Sequence, residues 1–305
     1  MQPLNQNSSN SVLRIGFLLL CMVFILSHAS GAYAQHYGIG SEGIKAGTLP
    51  GPGYYYLMYN QFYSSDRLND KDGDKIHNGF DLNTFANVHR FVWITDKKIL
   101  GGDYGMNIIV PLVNVDIDID AAGVSESSFK LGDINIEPFV LGWHGSGYDG
   151  VLGLSVFLPT GYYDEDDSSS TGQDHATFMT TLGGTYYPDQ NSNWSLSVLG
   201  RYEKHFENRD KDLTCGDDLS IEWGVGRKIG LLDVGLVGYG HWQLTADDGS
   251  DAVSDDKDSI LAVGPEVQIA VPALKAQVRV KYYKEFEAKD TNEGDTVWLT
   301  FVKAF

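Results

Sequence analysis

Hydrophobic and polar residues alternate along most of the chain from residue 53 onward. In 295–305, Val297, Leu299, Phe301 and Phe305 share one face, interrupted by Lys303, while Thr296, Trp298, Thr300, Val302 and Ala304 share the other. One segment earlier, Leu274, Ala276, Val278, Val280, Tyr282 and Phe286 oppose Lys275, Gln277, Arg279, Lys281, Tyr283 and Glu285. Trp194, Leu196, Val198, Tyr202 and Phe206 likewise oppose Ser195, Ser197, Arg201, Glu203 and His205. A period of two sends successive side chains to opposite faces, so these segments are strands. Extended over the chain, it predicts twelve of them, at 53–64, 81–95, 103–116, 131–144, 149–159, 176–188, 194–206, 217–228, 233–245, 259–271, 275–286 and 295–305.

The connections fall into two kinds. Short ones, at 96–102, 145–148, 189–193, 229–232 and 272–274, alternate with long polar ones at 65–80, 117–130, 160–175, 207–216, 246–258 and 287–294. Short turns at one end and long loops at the other predict an all-β fold, an antiparallel transmembrane β-barrel of about 12 strands. A water-soluble sandwich or barrel also alternates. Three features favour the membrane. The strands of about 11–14 residues exceed the ~5–6 usual in soluble sheets and approach the ~9–11 of membrane strands. Aromatics such as Trp194 and Phe206 cap opposite ends of an apolar face, as interfacial girdles do. The last strand ends on Phe305, similar to the C-terminal signal read by the barrel-assembly machinery, although Lys303 departs from that pattern. Pro111, Pro138 and Pro265 fall inside predicted strands, where each removes a ladder hydrogen bond, and bulges are expected to absorb them. Arg90 falls on an apolar face, which implies a shift or bulge in its strand.

Before the barrel, residues 1–14 are polar with one positive charge, Arg14. Ile15–Leu26 is an uninterrupted apolar stretch, and Ala32-Tyr33-Ala34 follows. That layout predicts a signal peptide over 1–34, a retained anchor being the alternative. Residues 35–52 are then a periplasmic or plug segment, and 53–305 the barrel. Of two cysteines, Cys21 lies in the leader and Cys215 in a polar loop, so no disulfide framework is possible. The net charge of -19 argues against nucleic acid as a partner, because phosphate contacts need clustered Lys and Arg.

In a closed membrane sheet the polar face points inward. This assigns Glu137, Arg201, Glu203, Glu222, His241, Glu266, Gln268, Lys275, Arg279 and Lys281 to the interior. So many charges suit a hydrated, channel-lining wall; a plugged interior in which they pair with one another is the alternative. His144-Gly145-Ser146 is the nearest approach to a hydrolase pair, but no acidic orienter stands out in that segment. Asp70, Asp72 and Asp74, with Gly73, resemble a fragment of a calcium loop without its later Glu. A solvated acidic tip and a divalent bridge to lipopolysaccharide are the other readings. No phosphate-cradling loop or zinc ligand cluster is recognisable, so no cofactor is expected.

Four sets of segments stand out: Glu42-Gly43-Ile44-Lys45-Ala46-Gly47-Thr48-Leu49-Pro50-Gly51-Pro52-Gly53-Tyr54; Ser65-Asp66-Arg67-Leu68-Asn69-Asp70; Leu131-Gly132-Asp133-Ile134 with Pro138 and Gly142-Trp143-His144; and Leu158-Pro159-Thr160-Gly161-Tyr162. Together they resemble the MetA-pathway of phenol degradation family. The resemblance implies an outer-membrane barrel, a channel rather than an enzyme, sometimes encoded with aromatic degradation enzymes. It carries over no catalytic residue. The expectation is passive uptake of small solutes across the outer membrane. The preference for hydrophobic or aromatic compounds comes from the resemblance, with some support from inward Tyr283 and Trp298, for which packing is an equal alternative. A structural or adhesive barrel and an outer-membrane hydrolase are the rival readings.

Overall fold

A computed structural model describes residues 36–305. The predicted signal peptide over 1–34, with Cys21, and Gln35 lie outside the described residues. The strands are β1 (Gly53–Ser65), β2 (Phe80–Ile99), β3 (Gly102–Ile119), β4 (Val124–Leu131), β5 (Ile134–His144), β6 (Tyr148–Leu158) and β7 (Thr177–Tyr186). They continue as β8 (Trp194–His205), β9 (Asp218–Ile229), β10 (Leu232–Gln243), β11 (Ser259–Val271), β12 (Ala276–Lys289) and β13 (Asp295–Ala304). All pairings are antiparallel. β1 bonds β13 on one side, from Tyr55 opposite Ala304, and β2 on the other, while β2 bonds β3, so the sheet closes on itself. β4 and β5 share the same edge of β3, its far half and near half respectively, which makes a barrel of twelve strand positions from thirteen segments.

β4 corrects one expectation, since 117–130 reads as a loop. β3 instead runs on to Ile119, turns through Asp120–Gly123 and returns as β4. The acids Asp116, Asp118 and Asp120 masked the alternation there. They interleave with Val115, Ile117 and Ile119, which are buried on the inner face.

The prolines find three different settings. Pro111 sits where β3 changes partner from β4 to β5, and its carbonyl accepts from Gly132. Pro138 lies in a register shift shared by β3, β5 and β6. Pro265 needs no bulge, because the β11–β12 register is the same on either side of it. Arg90 also needs none. β2 is in unbroken register with β1 across it, and Arg90 points inward with Leu82, Ala86, Val92 and Ile94. Both faces of β2 are apolar there, so hydrophobicity alone does not distinguish inside from outside.

Outward faces carry an exposed apolar belt that includes Leu182, Leu196, Val198, Val225, Leu236, Val267, Val280 and Phe301. Aromatics edge it at the short-turn end (Tyr54, Trp93, Tyr148, Tyr186, Trp194) and at the loop end (Phe62, Phe178, Tyr202, Trp242, Tyr282). Such a belt with aromatic rims is what a bilayer solvates, and closure leaves the barrel's backbone groups paired inside it.

Candidate functional site

Residues 36–52 run inside the barrel, and the interior is organised around them. Ile44, Ala46 and Leu49 are buried against the wall. Two glycines permit the close approach. Gly43 has a positive φ of 87°, and a Cβ there would meet a Glu266 carboxylate oxygen at 2.1 Å; a Cβ on Gly47 would lie 2.3 Å from the Gly184 backbone. A non-helical, non-strand segment has backbone groups that need partners, and the charged wall supplies them. Glu203 accepts from Tyr37 N at 3.2 Å, Glu222 from Glu42 N at 3.0 Å, and Glu266 from Ile44 N at 2.6 Å. Lys281 donates to the carbonyls of Gly40 and Glu42, at 2.6 and 3.0 Å.

Glu42 is the centre of the network. Its carboxylate pairs with Arg90 at 3.0 Å and Arg201 at 3.5 Å. Arg90 also reaches Glu137 at 3.4 Å, and Arg201 reaches Glu222 at 3.0 Å. Arg201 lies over the Tyr37 ring, 3.9 Å from its centroid, and donates to the Tyr37 hydroxyl, which donates in turn to Glu222. Burial pushes the Glu42 carboxyl up, but the surrounding Arg90, Arg201, Arg279 and Lys281 hold it below its ordinary range. Four cations facing Glu42 and its acidic neighbours make a compensated cluster, which buried charge requires.

Beside this network lies a cavity of about 380 Å³. Tyr37, Ile39 and Glu42 bound it on one side, and it reaches Thr171 and Asn292 at the loop end. Its wall is largely apolar along β2 and β3, through Leu82, Ala86, Val88, Val113 and Val115, and polar elsewhere, with Arg90, Glu137, Arg201, Asn135, Asp133 and Gln173 in the lining.

The matching family model, described as "Putative MetA-pathway of phenol degradation", covers residues 65–301. The chain belongs to that family. Among solved structures it is similar to the COG4313 outer membrane channel from Pseudomonas putida F1, with a TM-score of 0.76, 14% identity, and coverage of 88% of this chain and 100% of that one. The beta domain of the Bordetella autotransporter Brka is similar at a TM-score of 0.50, with 12% identity over 84% of this chain and 100% of that one. No curated protein matches the sequence. At these identities the likeness establishes the fold, a closed outer-membrane barrel. The family match starts after the inner segment, so the Glu42–Tyr54 motif lies outside it.

The family's middle motifs meet around one carboxylate. Asp133 accepts from Thr160 N at 2.8 Å, Gly161 N at 2.7 Å and Gln173 N at 2.8 Å. It thereby ties 159–176 to the β4–β5 junction, where Gly161 and Gly172 cross too closely for a side chain.

Of the interior residues predicted from sequence, Arg201, Glu203, Glu222, Glu266, Gln268 and Lys281 are buried around the inner segment. Arg279 is half-buried and donates to Gln277 at 2.7 Å. His241 is buried near the loop end, where its Nδ1 pairs with Ser220 and its Nε2 lies 3.1 Å from Asp258. Lys275 departs from the prediction. It is exposed, in a left-handed conformation at the turn after Pro272–Leu274, because the strand begins one residue later.

Asp70, Asp72 and Asp74 form a turn in which the Asp70 carboxylate accepts from the backbone N–H groups of the other two, at 3.0 and 2.9 Å. His144 does have an acidic partner, Asp149, at 2.9 Å through Nδ1, while its Nε2 faces Asp103 at 3.9 Å. Both ring nitrogens thus face carboxylates. Tyr37, Glu42, Arg90 and Asp133 are absent from the sequence-derived site. Glu42 and Asp133 stand in Gly-bearing motifs quoted above, which is the signal that could have raised them.

Proposed function

We propose that this chain is an outer-membrane channel for passive uptake of small solutes, with hydrophobic or aromatic compounds as the favoured class. The observation that carries this reading is the cavity inside the closed barrel, in which a largely apolar stretch of β2 and β3 faces a polar side that includes Glu42, Asp133 and Arg201. That combination suits a compact ring bearing one polar substituent better than a sugar, whose many hydroxyls would lose water against the apolar side. Family membership and the likeness to the Pseudomonas putida outer membrane channel support the transport half. Residues 36–52 act as an internal plug. Glu203, Glu222, Glu266 and Lys281 serve first to hold it, and Arg90 and Arg201 line the remaining path.

We read the protein as a channel and not an enzyme, because the solved structure it shares its fold with is an outer membrane channel. The long acidic loops face outward from the cell and the short turns face the periplasm. Lipids and lipopolysaccharide surround the apolar belt, and Phe305 presents the terminus to the barrel-assembly machinery. The test is solute flux in liposomes with phenols, aromatic acids and sugars of similar size. Faster phenol entry is expected. Equal entry of every small solute would remove the aromatic preference, and no flux even after deletion of 36–52 would remove the channel in favour of a structural barrel.

A further inference from the structure

Away from the central network, three histidines from distant parts of the chain meet at the barrel wall. His36 comes from the inner segment, His175 from the residue pair before β7, and His205 from the end of β8. One nitrogen from each ring lies within 4.8 Å of the other two, and all three side chains are buried.

The hydrogen bonds divide the six ring nitrogens into two sets. The outer set is held by pure acceptors. His36 Nε2 lies 2.8 Å from Asp133 Oδ2, His175 Nδ1 lies 3.0 Å from the Gln173 carbonyl, and His205 Nε2 lies 3.0 Å from Asp218 Oδ2. A carbonyl or an ionised carboxylate only accepts, so each outer nitrogen carries the ring's N–H. The inner set, His36 Nδ1, His175 Nε2 and His205 Nδ1, is then three lone pairs facing one another. Thr177 Oγ1 stands 2.8 Å from both His36 Nδ1 and His205 Nδ1, but its hydroxyl has one proton to give. His175 Nε2 and His205 Nδ1 are 3.1 Å apart with no proton between them. A buried cluster of acceptors with too few donors is costly unless a cation completes it.

We propose that His36, His175 and His205 form a binding site for one divalent transition-metal ion of the zinc class, and that the ion clamps the inner segment to the barrel wall. Neutral imidazoles select zinc, nickel, cobalt or copper over calcium and magnesium, which take oxygen ligands. Three nitrogens and a fourth position beside Thr177 match a tetrahedral site, whose ligands at ~2.0–2.1 Å from the ion stand about 3.4 Å apart. The 3.1 Å pair is already near that spacing. Asp133, the Gln173 carbonyl and Asp218 supply the outer hydrogen bonds that fix tautomer and ring orientation in metal sites. The ion has a route in, because His36, Asp133 and Gln173 line the central cavity. The clamp is one-sided: His36 belongs to the inner segment, His175 and His205 to the wall. Losing the ion therefore loosens the segment's leading end and leaves the barrel closed.

The test uses the untagged, full-length mature barrel in detergent, stripped with a chelator and titrated with zinc chloride by calorimetry, with bound metal counted after dialysis. One zinc per barrel is expected, together with tetrahedral cobalt absorption when cobalt replaces zinc. His36→Gln leaves the wall untouched, and heat-modifiable gel mobility verifies that each variant is folded. We expect affinity at least about 10-fold weaker in folded His36→Gln, His175→Ala and His205→Ala, the low end of what loss of even an outer partner costs. Failure of the folded wild type to take up stoichiometric zinc, or uptake undiminished in all three variants, would overturn the site.

Discussion

The inner faces of β8–β12 and of β2–β3 belong to one sheet with one alternation, yet charge is concentrated on the first and apolar surface on the second. On β8–β12 the inward residues include Arg201, Glu203, Glu222, Glu266, Gln268 and Lys281, buried and engaged with residues 37–45, beside an apolar patch of Val237, Tyr239, Ile260, Ala262 and Tyr283. On β2 and β3 most are apolar, among them Phe80, Leu82, Ala86, Val92, Val115, Ile117 and Ile119, with Thr84, Arg90, Asp103 and Asn107 as the polar exceptions. The difference follows from what each face meets. An irregular segment presents unpaired N–H and C=O groups, and only a charged or polar wall can satisfy them in a narrow interior. The opposite wall meets the cavity and loop side chains, where apolar surface is tolerated. An inward charge in a barrel is therefore weak evidence for an open aqueous pore, since here the charges are largely occupied in holding a segment.

Breaking the polar side has the largest expected effect. Arg201→Ala leaves Glu42 and Glu222 buried without their shared cation, a loss on the order of 3–5 kcal/mol. Because the inner segment can leave without opening the sheet, the loss appears as protease cleavage within 36–52 and higher ion conductance, both measurable on the refolded barrel. Next is Gly47→Ala. Its Cβ would meet the Gly184 backbone at 2.3 Å, an overpacking worth about 1–3 kcal/mol, so a milder version of the same loosening is expected in the same assays.

The smallest effect concerns Cys215, which lies outside both regions. Burial, with Asp247 and Asp218 nearby, pushes its thiol up to about 12. The thiolate is then scarce at pH 8, so maleimide labelling should run about 1,000-fold slower than for a free cysteine and should leave conductance unchanged. Labelling at the ordinary rate would contradict the packing of that loop.

The twelve strand positions were legible because the alternation survives wherever one face is polar, as in β8, β12 and β13. It failed at 117–130, where the acids of β3 read as a loop, and it misread Arg90, where both faces of β2 are apolar. The wall half of the central network was readable as inward charge. Its purpose was not, because nothing in the pattern places residues 36–52 in the lumen. The histidine cluster was invisible for a related reason: His36 meets Thr177 across 141 residues and His175 meets His205 across 30, and only ring closure with an internal segment brings them together. Lys275 was misplaced by a single residue at a strand start, enough to move a side chain from wall to turn.

The central claim is that the apolar wall selects the solute while the charged wall holds the plug. It is tested most directly by the ratio of phenol to sugar flux in liposomes for the wild type and for Val88→Asn with Val113→Asn, two half-buried positions on the cavity wall that make none of the hydrogen bonds or ion pairs holding the inner segment. The account predicts that the ratio falls by about 10-fold with sugar flux little changed, the scale on which a hydrophobic pocket discriminates. An unchanged ratio would contradict it.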